Sequence, residues 1–408
     1  MNILLLGNGF DLFHNLPTKY INFLNIVDYL AHTNWGNVRT VGDIFESLKL
    51  QEMDAGIAKS YNKYKSAYDK APLNYDVVER LSSLARSNIW FKYLLNSFNK
   101  DIGWIDFEKE ISTVIYYFEQ LLKENDTVLF TNKTFPSGEG QYIVRQFPFL
   151  WDENESTHIL WVINDEYLIE YPLGSNIKNV NKKKIVDKLA DAVLELAEGL
   201  RLYLEYFVEN VVEIIAEEDS AELCKAFLYT DYVVTLNYTS TFEKLYSSVQ
   251  TFHLHGDVSK KIVLGINPDE SDELETVDTT FIQFKKYHQR TLFETDTAYI
   301  KWLREKRSER PSVEDNHLLV MGHSLDMTDK DIITELFDLS DDITILYHSK
   351  AAESEYIANL VRIFGLDKFL MFRREKNLTF LPLDMDFTEF SENRAGNQLL
   401  EAFADTFS

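Results

Sequence analysis

Ile3-Leu4-Leu5-Leu6-Gly7-Asn8-Gly9-Phe10-Asp11-Leu12 opens the chain and decides its fold. An unbroken apolar run has no polar face to give to solvent. It therefore predicts a strand buried on both sides, central in a parallel sheet. The Gly-Asn-Gly that follows predicts a tight turn into a helix. Working outward, residues 20–30 place Ile21, Leu24, Val27 and Leu30 at helical spacing. Much later the strand–helix alternation resumes. Strands are expected at 232–236, 251–254, 262–266, 317–321, 343–347, 369–372 and 379–381. Helices are expected at 241–249, 280–307, 330–339 and 354–364. Such alternation means βαβ units, so the fold class is α/β with a doubly wound, mostly parallel sheet.

Between these parts the pattern differs. Residues 44–123 read as mostly helical. Short β-prone runs follow at 128–130, 142–144, 159–163 and 167–169, broken by Pro136-Ser137-Gly138 and Asn164-Asp165, and residues 182–217 read as one long amphipathic helix. Residues 1–43 and 219–408 thus form the core, and 44–218 a large, mainly helical insertion with a β-hairpin segment near 127–174.

The chain has 408 residues, with 41 basic and 66 acidic side chains and a formal net charge of −25. So acidic a surface repels phosphate backbones, and general nucleic-acid binding is not expected. The basic runs Lys182-Lys183-Lys184, Lys285-Lys286 and 304–310 read as solvated helix faces. The single cysteine, Cys224, permits no intrachain disulfide and no thiolate metal knuckle. That points to a reducing, cytoplasmic compartment. No stretch reaches the roughly 20 apolar residues that span a bilayer, and no membrane association is expected.

Four clusters fall at the expected C-terminal ends of strands, where open α/β sheets bind ligands. Gly7-Asn8-Gly9 lets backbone N–H groups approach a pyrophosphate, or simply makes the turn tight. Asn237, directly after a strand, projects its amide into the crevice, because Thr239 or Ser240 serves equally well as cap of the next helix. His253 and His255 share a strand face. No acidic or thiol partners complete a metal set around them, so a single catalytic His255 with a structural neighbour is expected, and Gly256 lets a ligand approach it. Gly322-His323-Ser324-Leu325-Asp326 suits phosphate or ribose hydroxyls, with helix capping by Ser324 or Asp326 as the plainer reading. Asp106, Glu108 and Glu110 offer a paired-carboxylate site as an alternative, but residues two apart do not share a helix face, so they read as solvent-coating charge.

The run Gly7-Asn8-Gly9-Phe10-Asp11-Leu12, with Leu16-Pro17-Thr18-x-Tyr20, resembles the signature of AbiH-family bacteriophage abortive-infection proteins. Asn237-Tyr238-Thr239-Ser240-Thr241-x-Glu243, His255-Gly256 and Gly322-His323-Ser324-Leu325-Asp326 are similar to that family's later motifs, and Trp104-x-Asp106-Phe107-Glu108 is the one stretch of the insertion with a comparable look. More distantly, the motif order resembles sirtuin-like NAD hydrolases. That resemblance implies a sirtuin-like Rossmann-type core, with Asn237 and His255 as catalytic residues. It implies a nucleotide site at Gly7, Asn8, Gly9, Phe10, Asp11, Pro17, Thr18, Tyr20, Gly256, Gly322, His323, Ser324 and Asp326. The sirtuin Asp-Phe-Arg is replaced here by Thr18-Lys19-Tyr20, Asp11 lies where a pyrophosphate would pass, and the zinc-binding cysteines of deacetylases are missing.

The expectation is therefore an anti-phage protein that hydrolyses NAD at the nicotinamide–ribose bond, NAD being substrate or ligand rather than a resident cofactor, with no metal. The alternative is a non-catalytic sensor of NAD, ADP-ribose or a related nucleotide, and a third reading keeps the fold for interaction alone. Beyond the small-molecule nucleotide, a phage-derived or host activator protein and a homo-oligomer stay open as partners.

Overall fold

A computed structural model describes residues 1–34, 36–50, 54–98, 106–123, 129–131, 138–152, 159–169, 179–218, 230–246, 249–266, 279–309 and 316–383. Nine strands are labelled in chain order among them: β1 (Asn2–Leu6), β2 (Leu129–Thr131), β3 (Leu150–Asp152), β4 (Ile159–Ile163), β5 (Tyr232–Thr235), β6 (Gln250–His253), β7 (His317–Met321), β8 (Asp342–Tyr347) and β9 (Thr379–Pro382). Six of them form one sheet in the order β6-β5-β1-β7-β8-β9, and every pairing in it is parallel. β1 is central, as its sequence requires. Ile3 and Leu5 pack into one apolar core with the helices Thr297–Glu309, Lys330–Leu339 and Lys350–Glu375. Leu4 and Leu6 pack into a second core on the other face, against Phe10 and Phe242. Alternate residues of one strand thus serve two cores, which is why the run carries no polar residue.

From β1 the chain runs outward to β5 and β6, then crosses back to β7 and continues to β8 and β9. The direction of winding reverses between β1 and β7. In a doubly wound sheet the crevice outside the C-terminal ends of such a strand pair is the place for a ligand.

The insertion is mainly helical and shares its large apolar core with the helix Tyr20–His32 and with Val258, Ile262, Leu264, Ile266, Phe281 and Phe284. It also holds a three-stranded antiparallel sheet in the order β2-β4-β3. The long helix expected over 182–217 is present, as Lys182–Tyr203, a π-helical turn Leu204–Glu209 and Asn210–Glu218. Among the described residues no helix is long and apolar enough to cross a membrane.

Five expected elements are corrected. Residues 142–144 lie in the helix Glu139–Val144, which turns Ile143 and Val144 into the core. Residues 165–167 make a 3₁₀ turn, and the expected strand at 167–169 is reduced to an isolated bridge between Leu168 and Val180. The helix expected over 241–249 ends at Leu245. Residues 262–266 form no strand, because their backbone is satisfied elsewhere. The Gln289 side chain accepts from Leu264 N–H at 2.9 Å and donates to Leu264 O at 3.1 Å, and Ile266 N–H donates to Phe284 O at 2.7 Å. Residues 369–372 continue the helix Lys350–Glu375 past a kink at Gly365, and the i,i+3 pair Phe369 and Phe372 faces the core.

Candidate functional site

The four motif clusters all emerge at the C-terminal edge of the sheet, from β1, β5, β6 and β7. At the switch point the first and fourth are packed backbone to backbone. Gly9 N–H donates to Gly322 O at 2.8 Å, Gly7 N–H to Met321 O at 3.2 Å and Phe10 N–H to Gly7 O at 2.9 Å. A side chain at Gly7 would place its Cβ 2.6 Å from His323 Cα, and one at Gly9 2.6 Å from Gly322 Cα. These glycines are required by the contact between the two loops, and the three N–H groups are bonded to protein carbonyls. Asn8 is exposed and accepts a hydrogen bond from Thr18 Oγ1 at 2.6 Å. Phe10 is core, and Pro17 O accepts from Tyr203 Oη at 2.5 Å.

Asp11 points away from solvent, at 1% exposure, and its Oδ2 accepts from Thr239 Oγ1 at 2.6 Å. It ties the first turn to the loop after β5. Burial raises its carboxyl to about 6, against the hydrogen bond from Thr239. A carboxyl raised on folding stabilises the fold when protonated, so this contribution is present below about pH 4 and lost as pH rises through about 6. Across that window the stability of wild type relative to Asp11→Asn is expected to fall by up to about 3 kcal/mol. Urea unfolding of both proteins at a series of pH values measures it; a difference that stays flat with pH would contradict the burial of this charge.

The same loop is held from other sides. Glu209, at the end of the π-helical turn, is buried and accepts from Ser240 N–H, while its Oε2 lies 2.9 Å from Lys244 Nζ. His253 pairs through Nε2 with Glu243 Oε1 at 2.7 Å, and its Nδ1 lies 3.1 Å from Asn237 O. His253 is thus a structural neighbour that fixes the Asn237 backbone. Asn237 itself is buried, and its side-chain Oδ1 has no hydrogen-bond partner.

β6 ends at His253, so His255 does not continue the strand face as expected. It lies in a turn closed by Gly256 N–H to His253 O at 3.0 Å, with Gly256 at φ +77°. This turn sends His255 to partners other than those of His253. His255 Nε2 lies 3.2 Å from Asp329 Oδ1, but off the hydrogen-bond direction, and has no hydrogen-bond partner. His323 reaches the same carboxylate, Nε2 to Oδ2 at 3.4 Å. Leu325 N–H donates to His323 Nδ1 at 2.8 Å. That nitrogen is therefore the acceptor, and the neutral ring carries its proton on Nε2, facing Asp329. Ser324 is exposed, and Asp326 caps the 3₁₀ turn Met327–Asp329 by accepting from Thr328 N–H at 3.1 Å, the plainer reading for that residue.

Three residues that sequence reasoning left out complete the cluster. Asp329 lies beside both histidines and pairs with Lys286, whose Nζ lies 3.0 Å from its Oδ1. Lys286 Nζ lies 2.7 Å from Glu108 Oε2. Lys286 is 2% exposed, so the pair Lys285-Lys286 is no solvated face. Glu108 comes from the first turn of the insertion helix Phe107–Lys123. Beside the cluster, Phe107 stacks on Tyr20 at 4.2 Å, and the Tyr238 ring is 6.4 Å from that of His255. Trp104 and Cys224 lie outside the described residues.

The electrostatics follow from burial and pairing. Burial would raise the Asp329 carboxyl, but the Lys286 ammonium and the two histidines outweigh it and hold it well below the usual range. Burial, reinforced by Lys286, lowers His255 to about 4 against the pull of Asp329. Burial raises Glu108 to about 7 in spite of Lys286. At neutral pH the site therefore holds an ionised Asp329, a charged Lys286, a neutral His255 and a Glu108 near its midpoint. A neutral imidazole with a carboxylate beside it can accept a proton, because the imidazolium formed has a ready counter-charge.

A family model described as Bacteriophage abortive infection AbiH matches residues 3–348. Comparison with curated proteins and with solved structures found no match.

Proposed function

The chain belongs to the AbiH family of bacteriophage abortive-infection proteins, and on that premise we propose that its chemistry is hydrolysis of NAD at the nicotinamide–ribose bond. One observation carries this reading. Two buried polar atoms, Asn237 Oδ1 and His255 Nε2, have no hydrogen-bond partner, and both belong to loops at the ligand-binding edge of a parallel sheet. An orphaned buried polar atom costs about 1–3 kcal/mol, so two at one edge suit a site that a ligand completes.

In the proposed reaction the bond between ribose C1′ and the nicotinamide nitrogen breaks, and its electron pair leaves with nicotinamide. The leaving group is already cationic and departs neutral, so no acid is needed. Water forms the new C1′–O bond, and its proton passes to the His255 imidazole. Asn237 Oδ1 accepts a hydrogen bond from that water or from a ribose hydroxyl. Asp329, kept ionised by Lys286, opposes the positive charge on the imidazolium. The products are ADP-ribose, nicotinamide and a proton. A sirtuin-like core would use Asn237 and His255 in this way.

The test is nicotinamide release from NAD by the purified protein, beside His255→Ala and Asn237→Ala. Loss of a general base is expected to slow turnover by roughly 100- to 10,000-fold with the thermal melt preserved. Full activity in both variants refutes this site assignment. A second reading, a non-catalytic sensor of NAD or ADP-ribose, draws on the burial of His255, at 4% exposure. Its signature is a ligand-dependent rise in melting temperature with NAD recovered intact. Under either reading a phage-derived or host activator is the proposed trigger.

A further inference from the structure

Lys286 is a buried ammonium shared by two carboxylates of unequal standing. Asp329 ends the 3₁₀ turn in the loop after β7 and lies beside His255 and His323 as well as Lys286. Glu108 is brought in by the insertion and sets one carboxylate oxygen 2.7 Å from the ammonium. Its carboxyl is also the one that burial drives toward neutrality. Of the two acids, Glu108 is the more easily released.

An incoming anion finds few other donors at this edge. The N–H groups of Gly7, Gly9 and Phe10, which would otherwise receive a phosphate, donate to protein carbonyls. Carboxylate and phosphate oxygens engage an ammonium through the same charge-assisted hydrogen bonds. We propose that Glu108 is an internal stand-in for an anionic group of the ligand, and that a nucleotide phosphate displaces it from Lys286. The proposal rests on the nucleotide reading of the site and assigns Lys286 as its anion-binding residue.

Displacement has a structural consequence. Glu108 is adjacent in sequence to Phe107, which stacks on Tyr20 at 4.2 Å. Releasing Glu108 loosens the end of the insertion helix that reaches the cluster. Ligand binding and insertion movement are then coupled, and the coupling is reciprocal: whatever pulls the insertion away also raises affinity for the ligand.

Glu108→Gln keeps the shape and an acceptor for Lys286 but removes the competing charge. Titration calorimetry of the full chain with ADP-ribose is expected to give at least about tenfold tighter binding to Glu108→Gln than to wild type, equal to about 1.4 kcal/mol. Lys286→Met is expected to weaken binding by a similar factor. Amide exchange in residues 107–123 is expected to rise when ADP-ribose is added to wild type. If ADP-ribose binds wild type and Glu108→Gln equally, the stand-in is refuted while the nucleotide reading survives. If neither protein binds ADP-ribose, NAD or inorganic pyrophosphate, the nucleotide reading fails and the stand-in falls with it. Should Lys286→Met not fold, the comparison of wild type with Glu108→Gln decides alone.

Discussion

Asp329→Ala is expected to destabilise the protein by about 3–5 kcal/mol, the magnitude for removing one partner of a buried ion pair. Asp329 is 6% exposed and is the common partner of Lys286, His255 and His323. Without it the Lys286 ammonium keeps one carboxylate partner among the described residues, Glu108, in place of two. A buried positive charge then loses half of its counter-charge. His323 also loses the acceptor opposite its Nε2 proton. Asp329→Asn retains a polar partner without the charge and is expected to cost less. The double variant with Lys286→Met is expected to recover part of the loss, since it removes the orphaned ammonium. Urea denaturation of wild type, Asp329→Ala, Lys286→Met and the double variant gives the coupling as a double-mutant cycle, with Asp329→Asn measured beside them. An Asp329→Ala protein within about 1 kcal/mol of wild type, or a double variant costing the full sum, would show that the network carries little of the stability.

That network was the least legible part of the site in the sequence. The four loops were readable because each is local: an apolar strand, then glycine or a polar residue at its C-terminal end. Gly7, Asn237, His255 and Gly322 all declare themselves in this way, and the parallel sheet brings them to one edge. Lys286, Asp329 and Glu108 declare nothing locally. A charged side chain is usually solvated, so Lys285-Lys286 reads as surface, and spacing alone discounts Glu108 beside Asp106 and Glu110. Each is buried by a partner on a distant segment, and no periodicity records such pairing. Two signals were nonetheless present. Asp329 lies three residues beyond Asp326, in the same loop as the fourth cluster. Glu108 ends the one stretch of the insertion with motif character. The misread elements have the same origin. β-Prone residues at 142–144 and 369–372 are helical because the packing around them asks for a helical face. Residues 262–266 stay out of the sheet because the Gln289 side chain takes the hydrogen bonds of Leu264.

The contact at the switch point leads to the second large effect, at Gly322. This residue has φ +71°, and a Cβ there would lie 2.2 Å from Phe10 N, 2.5 Å from Gly9 C and 2.8 Å from Gly9 Cα. All three are backbone atoms of the turn after β1, so no side chain can swing aside. Gly322→Ala combines a left-handed backbone cost of roughly 1–2 kcal/mol with overpacking of roughly 1–3 kcal/mol, and a total of about 3 kcal/mol or more is expected. Gly365 supplies the control. It has a similar φ of +76°, with nothing within 4 Å of the position a Cβ would take, so Gly365→Ala is expected to show the backbone cost alone. Thermal unfolding of the two variants separates the terms. Equal losses would mean that the loops after β1 and β7 do not press on each other in solution. A clearly larger loss at Gly322 would mean that they do, and the consequence reaches the ligand. On the proposed nucleotide reading, with the crevice floor closed by Gly9 N–H on Gly322 O, a ligand would lie across the two loops rather than between them.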